Sequence, residues 1–278
     1  MNKILIPTDF SESAENSVFF SIRLAEKLDL KITLMHVIEL YKYASGTSDA
    51  EILTTLPEKD VKKIENKVNE TFDKHISNIN EKCKFSIPLE KKITSGHLLN
   101  ELSNEIVSGD VEYLVMALPE RRNFEFFLNN NSSLFDEVNC PVLVIPPKTT
   151  FDFPGKILYI IDFRKPDLTA VIDLINKFKK YQPEVDLIYL SNKPESFDEE
   201  LMKQGFIQMI TDQTGYSKIT IQPCTEKDLK MITVKYTKTD HLFLIAMSKK
   251  VAIESRRAKK IAVSLNLPLL ICPDNKKN

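Results

Sequence analysis

The stretch KILIPTDFS at residues 3–11 returns later in the chain as KILYIIDFR at residues 156–164. At the same offset of 153 residues (156 minus 3), TLMHV at residues 33–37 is matched by DLIYL at residues 186–190. These are largely apolar runs, as expected of strands buried on both faces of a parallel sheet. Because self-similarity over so long a period marks a duplicated structural unit, the sequence predicts two similar domains.

Two later strands keep the repeat at a shorter offset. LVMA at residues 114–117 matches FLIA at residues 243–246, an offset of 129 (243 minus 114). PVLVIP at residues 141–146 matches PLLICP at residues 268–273, an offset of 127 (268 minus 141). The second copy is therefore shorter by 24 to 26 residues (153 minus 129 and 153 minus 127).

The length difference falls between the second strand and Ile93. There the first copy carries a charged helix, predicted around residues 59–81, and the second copy carries a brief one near residues 197–206. The longer insertion, residues 56–84, has a charged outer face and is a candidate surface for a protein partner. A helix face that contacts only solvent is the alternative interpretation.

Between the strands, as in residues 14–25, apolar residues recur at helical spacing. Strands that alternate with helices need crossover connections, which predicts an α/β fold of Rossmann-like domains with helices on both faces of a mostly parallel sheet. Residues 146–155, PPKTTFDFPG, are rich in residues that interrupt regular structure. They are the predicted joint between domains spanning residues 1–147 and 155–278.

Composition and charge limit the classes of function. The chain is 42% hydrophobic and 28% charged with a formal net charge of −1, so its overall charge attracts neither nucleic acid nor a membrane surface. Its first residues lack the features of a secretory signal, and we expect a cytoplasmic protein. Cys83, Cys140, Cys224 and Cys272 show no metal-ligand spacing, so we expect buried reduced thiols, no disulfide and no metal site.

The order of four strand endings resembles that of the universal stress protein family. These endings are PTDFS after the first strand, MHV in the second, LVMA in the fourth and CPVLVIP in the fifth. The resemblance is to the tandem form of the family and covers nearly the whole chain. It implies two adenine nucleotide alpha hydrolase-like domains, each with five parallel strands in the order 3-2-1-4-5, packed as an intramolecular pseudo-dimer. Whether two chains associate further is left open.

The same resemblance implies a place for a nucleotide. In such a sheet, ligands bind beyond the carboxyl ends of the strands where the winding reverses. Family members that bind ATP use the acid matching Asp9, the backbone of the residue matching Val37, and a G-x2-G-x9-G-[S/T] loop. The residues that would form the cofactor site here are Pro7, Thr8, Asp9, Val37, Ala117, Asn130, Asn131, Ser132 and Ser133.

The phosphate loop of that motif has lost its glycines. Counted from the end of the fourth strand, its positions fall on Ala117, Glu120, Asn130 and Asn131. Counted back from Pro141, the last pair falls on about Leu128 and Asn129, and neither register contains a glycine. The segment AMSKKVAIESRRAKK at residues 246–260 of the second copy also lacks glycine. Glycine reaches backbone angles that cost other residues roughly 1 to 2 kcal/mol each, and its bare Cα lets amides approach phosphate oxygens. Losing two such positions predicts a fall in affinity of at least about one to two orders of magnitude.

Other features leave a remnant anion site open. Asparagine enters the left-handed region at reduced cost, and Arg121 and Arg122 supply positive charge. Ser132 and Ser133 are interpreted as helix caps rather than nucleophiles, because no G-x-S-x-G elbow surrounds them. Asp9 has an alternative role as the cap of the next helix.

Two functions follow from these residues and from the resemblance. The first is a non-catalytic stress-response module that binds an unknown protein or small molecule and has a degenerate nucleotide site in both halves. The second is an ATP-binding switch, a slow ATPase at most, that uses Mg-ATP in the first domain through Asp9, Val37 and residues 130–133. In both, Asp162 of the second copy lies in a vestigial crevice.

Overall fold

A computed structural model of the chain describes residues 2–39, 58–151, 153, 155–162, 167–191, 197–225, 227–237 and 242–273. Phe163 and Arg164 of the second repeat, and residues 56–57 at the start of the predicted insertion, lie outside these ranges. Contacts along the chain group it into two compact units, Met1–Ala117 and Leu118–Asn278. Each unit is described by itself.

The first unit alternates strands with helices. Its elements are β1 (Lys3–Pro7), α1 (Glu12–Leu28), β2 (Lys31–Ile38), α2 (Glu58–Lys82), β3 (Leu89–Ser95), α3 (Leu98–Ser108) and β4 (Val111–Ala117). The strands lie in the order β3-β2-β1-β4, and each neighbouring pair is parallel. This order places β1 at the centre, where the winding reverses between β1 and β4.

Local sequence explains how α1 begins and ends. Ser11 precedes the helix in an extended conformation, and its side chain accepts a hydrogen bond from the Ala14 amide. Asp29 ends the helix in the left-handed conformation, with φ 57°, and its amide donates to the Ala25 carbonyl oxygen. Residues such as Val18 that recur on one side of α1 are buried. Helix and sheet therefore share one core.

Helix α2 is the predicted insertion of the first repeat. It is charged over most of its surface, and its buried side chains are Val68, Phe72, His75 and Ile79, three and four residues apart. That spacing forms a single stripe, so one narrow face of a long helix attaches it to the unit. The helix predicted around residues 59–81 is confirmed.

The second unit contains the end of the first repeat and the whole described part of the second. Its elements are α4 (Phe124–Asn130), α5 (Ser132–Glu137), β5 (Val142–Ile145), β6 (Lys156–Ile161), α6 (Leu168–Phe178), β7 (Val185–Leu190), α7 (Phe197–Thr214), β8 (Ile219–Cys224), α8 (Leu229–Thr237), β9 (Leu242–Ser248), α9 (Lys249–Glu254), α10 (Arg256–Leu265) and β10 (Leu269–Cys272). Its strands lie in the order β5-β10-β9-β6-β7-β8.

Strand β5 explains why the chain divides after Ala117. It pairs antiparallel with β10, with Leu270 opposite Leu143. These are the corresponding strands of the two repeats, the ones that carry PVLVIP and PLLICP. Helix α4 also contacts α9 and α10, so residues 118–145 pack with the second repeat.

Helix α7 is longer than the sequence predicted. A brief helix near residues 197–206 was expected, but the helix runs from Phe197 to Thr214. Phe206, Ile210 and Thr214 are buried and continue one face for two further turns. The helix ends where Gly215 adopts a left-handed conformation with φ 68°. The predicted helix was too short because apolar and polar residues occur on both faces of α7. The sequence therefore shows no clear helical repeat of apolar residues there.

The predicted fold class is confirmed: both units are α/β with mainly parallel strands and flanking helices. The predicted burial of the cysteines is also confirmed, because Cys83, Cys140, Cys224 and Cys272 are all buried. Burial raises the pKa of the Cys272 thiol to about 12. This thiol is therefore protonated and unreactive at neutral pH.

Candidate functional site

The first unit brings five predicted site residues to one edge of its sheet. Pro7 ends β1, and Thr8 and Asp9 follow it. Val37 lies one residue before the end of β2, and Ala117 ends β4. Because β2, β1 and β4 are parallel neighbours, their carboxyl ends meet at this edge. The position corresponds to the crevice expected where a doubly wound sheet reverses its winding.

Asp9 has an exposed side chain and a local hydrogen bond. Its Oδ1 accepts from the Ser11 amide at 3.0 Å, which shapes the turn between β1 and α1. Ser11, rather than Asp9, caps α1. The alternative role of Asp9 as a helix cap is therefore wrong, and its carboxylate lies at the rim of the crevice.

Thr8 and His36 connect the ends of the first two strands. Thr8 is buried, and its amide donates to the Met35 carbonyl oxygen at 2.8 Å. His36 Nδ1 lies 2.7 Å from the Thr8 carbonyl oxygen, so Nδ1 carries the proton and donates. His36 has a structural partner within its own sheet.

Phe10 has an unusual backbone and a dense aromatic environment. Its φ of 63° lies in the left-handed region, which is rare for an aromatic residue. Its ring stacks on His36 with centroids 4.5 Å apart and meets Phe72 and His75 edge-on at 5.3 and 5.5 Å. These four rings, Phe10, His36, Phe72 and His75, form what we name the aromatic cluster. Ring packing offsets the backbone cost of the Phe10 conformation.

His75 is the member of this cluster that carries a buried ring nitrogen without a hydrogen bond among the described residues. Its side chain is 6% exposed, and among the described residues Nε2 has no hydrogen-bond partner. Burial lowers its pKa; the charge of Glu15 opposes this shift, Lys82 adds to it, and Asp9 opposes it. The neutral imidazole is therefore the form that the fold favours.

Phe10 and His75 were not among the site residues predicted from the sequence. Phe10 stands within the repeated stretch, but a left-handed aromatic residue has no sequence signature. His75 belongs to the stripe Val68, Phe72, His75 and Ile79, whose spacing could have marked it as buried. Only the folded chain brings α2 to the end of β1, where Phe10 packs edge-on against Phe72.

The segment that matches the phosphate loop is mostly helical. It contains α4 and the start of α5, joined at Asn131. The side-chain amides of Asn130 and Asn131 donate to the carbonyl oxygens of Phe126 and Phe127, each at 2.8 Å. These side-chain amides therefore provide hydrogen bonds to carbonyl oxygens in the last turn of α4.

The prediction that Ser132 and Ser133 cap a helix was wrong. Ser132 and Ser133 are the exposed first residues of α5, within the helix, and the capping position is Asn131. Asn131 makes no side-chain cap bond to α5 because its amide faces the preceding turn. The backbone amides at the start of this short helix therefore have no side-chain cap from Asn131.

The backbone of this segment does not use the angles that glycine would supply. Residues 118–133 are all described, and none of them has a positive φ. The arginines nearby are exposed, and the Arg122 guanidinium lies 4.0 Å from the centre of the Phe126 ring. Glu120 is exposed in the same segment. The chain follows a path suited to side chains with Cβ atoms.

The corresponding cations of the second repeat have protein partners. Lys249 Nζ lies 3.0 Å from Asp136 Oδ1. Arg257 donates to the carbonyl oxygens of Ser191 and Cys224, the latter at 3.2 Å. Helix α9 begins directly after β9. Across the described ranges, no group of three or more His, Cys, Asp or Glu side chains is placed to hold a metal ion.

A sheet wound in this order, with its crevice at the carboxyl ends of the central strands, defines a doubly wound α/β protein of the Rossmann-like class. The model of the family described as "Universal stress protein family" matches residues 1–146. Since that match covers more than half of the 278 residues, the chain belongs to the universal stress protein family, a family of stress-response proteins.

Solved structures share this fold over nearly the whole chain. A universal stress protein from Archaeoglobus fulgidus DSM 4304 aligns with a TM-score of 0.68 and 16% identity, covering 99% of both chains. A functionally unknown protein from Pseudomonas aeruginosa PAO1 aligns with a TM-score of 0.54 and 12% identity, covering 99% of this chain and 93% of its own. Identities this low show the fold alone. None of the curated proteins compared with the chain matches it.

The helices were also compared with the requirements for crossing a membrane. Among the helices in the described ranges, none is both long enough and apolar enough to span a bilayer.

Proposed function

We propose that the chain is a tandem universal stress protein that acts as a non-catalytic binding and regulatory module in the cytoplasm. Its two repeats, residues 1–147 and 155–278, form an intramolecular pseudo-dimer, and the nucleotide site is degenerate in both. The antiparallel pairing of β5 with β10, the last strands of the two repeats, supports the pseudo-dimer. Its partner is a protein or a small molecule rather than a nucleic acid or a membrane.

The observation that carries this proposal is that the phosphate-loop segment forms the helices α4 (Phe124–Asn130) and α5 (Ser132–Glu137). A phosphate-binding loop presents several backbone amides to one anion, and glycine allows that close approach. Here α4 uses its amides within the helix, and the Asn130 and Asn131 side chains bond to its last turn. Unwinding α4 for a triphosphate would break these bonds and expose the buried rings of Phe124 and Phe127.

Burial sets the scale of that cost. Phe124 is fully buried and Phe127 is 5% exposed. Exposing either phenyl ring costs about 1.5 to 3 kcal/mol, so displacing both lowers affinity by at least about two orders of magnitude. Positions 117, 120, 130 and 131 therefore lack the glycines of a triphosphate cradle, and the backbone at 130 and 131 belongs to the end of α4 and its junction with α5.

An absorbance spectrum and a melting curve test the proposal. The chain has no tryptophan and eight tyrosines, so a co-purified adenine nucleotide would dominate its ultraviolet absorbance. We expect a spectrum without nucleotide and no change in Tm with millimolar Mg-ATP over magnesium alone. A ligand present at 100 times its Kd would stabilise the fold by about 2.7 kcal/mol, which a melting curve detects.

The alternative is an ATP-binding switch in the first domain, and the exposed carboxylate of Asp9 at the crevice favours it. The switch predicts a rise in Tm with Mg-ATP that Asp9→Ala abolishes. The matched control is Asp162→Ala, which changes the equivalent position of the second repeat. A Tm rise that needs Asp9 but not Asp162 would replace our proposal with the switch.

A further inference from the structure

The turn between β1 and α1 has a backbone conformation that its own residues disfavour. We name residues 8–11 the Asp9 turn. Phe10 lies in this turn with a φ of 63°. For a residue that carries a Cβ, this left-handed region is disfavoured by a factor of about 5 to 30. Contacts with other elements of the first unit therefore hold Phe10 in this conformation.

The ring of Phe10 is enclosed by side chains from β2 and α2. His36 of β2 stacks on it with centroids 4.5 Å apart. Phe72 and His75, one turn apart on α2, meet it edge-on at 5.3 and 5.5 Å. These two are among the four buried side chains that attach α2 to the unit. The conformation of the Asp9 turn and the attachment of α2 therefore depend on the same ring contacts.

The attachment of α2 includes contacts that stabilise it weakly. Among the described residues the buried Nε2 of His75 has no hydrogen-bond partner, and such an atom destabilises the packed state. Two ion pairs join α2 to its neighbours: Lys82 bonds Glu15 of α1, and Asp73 lies 2.6 Å from Lys91 of β3. Lys82 and Asp73 are exposed, so these pairs contribute little. The helix is therefore suited to local opening.

The Asp9 turn also fixes the carboxylate at the rim of the crevice. The Phe10 amide donates to Thr8 Oγ1, and the Ser11 amide donates to Asp9 Oδ1, each at 3.0 Å. Rotation about the N–Cα bond of Phe10 moves the Ser11 amide relative to Asp9. A change of φ from positive to negative would therefore break the bond between Ser11 and Asp9 and release the carboxylate.

We propose that α2 is a conformational switch element that sets the Asp9 turn. With α2 docked, Phe72 and His75 enclose the Phe10 ring, and Asp9 is bonded to Ser11 at the crevice. With α2 undocked, Phe10 takes the negative φ that its backbone prefers, and the Asp9 carboxylate is free to move. Strained backbone that tertiary contacts hold in place is a recurring feature of switch regions.

The switch goes beyond the proposed function because it connects two surfaces of the first unit. One is the charged outer face of α2, the candidate surface for a protein partner, and the other is the crevice that Asp9 borders. Coupling between two sites is reciprocal. A partner that draws α2 away would change the crevice, and a ligand that fixes the Asp9 turn would tighten the attachment of α2. The coupling itself needs no nucleotide.

Nuclear magnetic resonance of the full-length protein tests the switch, because scalar couplings and the amide–Hα distance of Phe10 report the sign of its φ. We expect a positive φ in the parent protein. In Phe72→Ala, which removes an α2 ring, we expect the negative φ to predominate by about 5-fold to 30-fold. Ile79→Ala should shift φ in the same direction, because Ile79 is fully buried on α2 and its truncation weakens the attachment.

Two control variants separate the switch from general destabilisation. Leu102→Ala truncates a buried side chain of α3, and Thr71→Ala changes an exposed residue of α2 next to Phe72. Both should keep the positive φ of Phe10. A shift of φ in Leu102→Ala as large as that in Phe72→Ala would overturn the proposal.

The reciprocal effect is measured by hydrogen exchange. Phe10→Ala removes a ring that is only partly buried, so we expect this variant to fold. It should lower the protection factors of α2 amides at least about threefold relative to those of β4 amides. Unchanged protection of α2 in this variant, or a φ that stays positive in both Phe72→Ala and Ile79→Ala, would overturn the proposal. If Phe72→Ala does not fold, Ile79→Ala and Phe10→Ala decide.

Discussion

The two repeats place a lysine at the same position and pair it differently. Lys3 opens β1 and bonds Glu105 Oε1 of α3 at 2.5 Å. Lys156 opens β6 and lies 2.8 Å from Glu184 and 3.3 Å from Asp186 of the neighbouring strand β7. The duplication preserved a cation at the amino edge of each sheet, but a helix supplies its carboxylate in one repeat and a strand in the other.

The surroundings of the two buried carboxylates also differ. Glu105 accepts from two ammonium groups, those of Lys3 and Lys92. Asp186 accepts from Lys156 and from two hydroxyl groups, Thr220 Oγ1 at 2.5 Å and the Tyr236 hydroxyl at 2.8 Å. The first repeat therefore stabilises its carboxylate with charge, and the second does so largely with neutral donors. This contrast predicts different responses to mutation, salt and pH.

The largest effect is expected from Asp186→Ala. The carboxylate is 5% exposed, and its removal leaves Lys156, Thr220 and Tyr236 without their shared acceptor. We expect the free energy of unfolding of the second unit to fall by about 3 to 5 kcal/mol. Hydrogen exchange measured along the chain checks this, because it separates the two units.

Two further variants serve as controls for Asp186→Ala. Asp186→Asn keeps an acceptor oxygen and should lose clearly less than the alanine variant. Asp212→Ala changes an exposed acid on α7 and should stay within about 0.5 kcal/mol of the parent protein. A loss below about 1 kcal/mol for Asp186→Ala would mean that the neutral network is not what stabilises this edge.

The second prediction concerns Glu105→Gln in the first unit. Burial opposes ionisation of Glu105, but hydrogen bonds from Lys3 and Lys92 outweigh it and lower the pKa of the carboxyl. Glutamine removes the charge from a group that is 7% exposed, so we expect a loss of about 1.5 to 3 kcal/mol at neutral pH.

The loss should depend on pH in a defined direction. Because the folded-state pKa of Glu105 is depressed, its stabilisation is present above the ordinary value of 4.5 and disappears as pH falls through the folded value. The difference between parent and variant should therefore close below about pH 4.5. Glu90→Gln, an exposed acid on β3, is the control. If the free energies of unfolding of the parent protein and Glu105→Gln still differed in strong acid, the stabilisation could not come from the charge of Glu105.

Much of this fold could be predicted because the repeat stands in the sequence itself. The offset between Lys3 and Lys156 identified both first strands, and the apolar runs that follow identified the parallel sheet. The offset could not predict the partners, since Glu105 and Asp186 come from non-equivalent elements. The candidate site was also only partly predictable: strand ends placed Asp9 and Val37, but the contact of Phe10 with His75 depends on tertiary packing.

The third prediction uses salt to separate the two networks. Lys92 is 41% exposed and faces Glu105, so its contribution is a partly screened ion pair of about 0.5 to 1 kcal/mol. Raising the salt concentration to about 1 M should remove most of it and make Lys92→Met indistinguishable from the parent protein. The Asp186 network should respond less, because two of its donors are neutral. If hydrogen exchange responded equally to salt in both units, the proposed difference between the charged Glu105 network and the largely neutral Asp186 network would be wrong.

The smallest effect is expected in the helix that joins the second and third strands of the first repeat. Helix α2 is attached partly through His75, whose pKa is lowered mainly by burial. A depressed histidine pKa means that the unfolded chain binds the proton more readily than the folded one. The attachment of α2 is therefore complete above about pH 6.5 and weakens as pH falls from 6.5 through the folded value.

We expect the protection factors of α2 amides, which correct for the pH dependence of intrinsic exchange, to fall between about pH 6.5 and 5.5 while those of β1 amides stay unchanged. The aromatic cluster explains why: a charged His75 would face Phe10 and Phe72, with Glu15 and Asp9 as the acids nearby and Lys82 opposing them. His75→Phe should abolish the pH dependence and keep the ring packing, whereas His97→Gln, an exposed control, should leave it intact. Because α7, the helix at the same position in the second repeat, contains no histidine, the same pH change should leave its protection factors unaltered. A parallel fall of protection factors in both units would assign the effect to global unfolding rather than to His75.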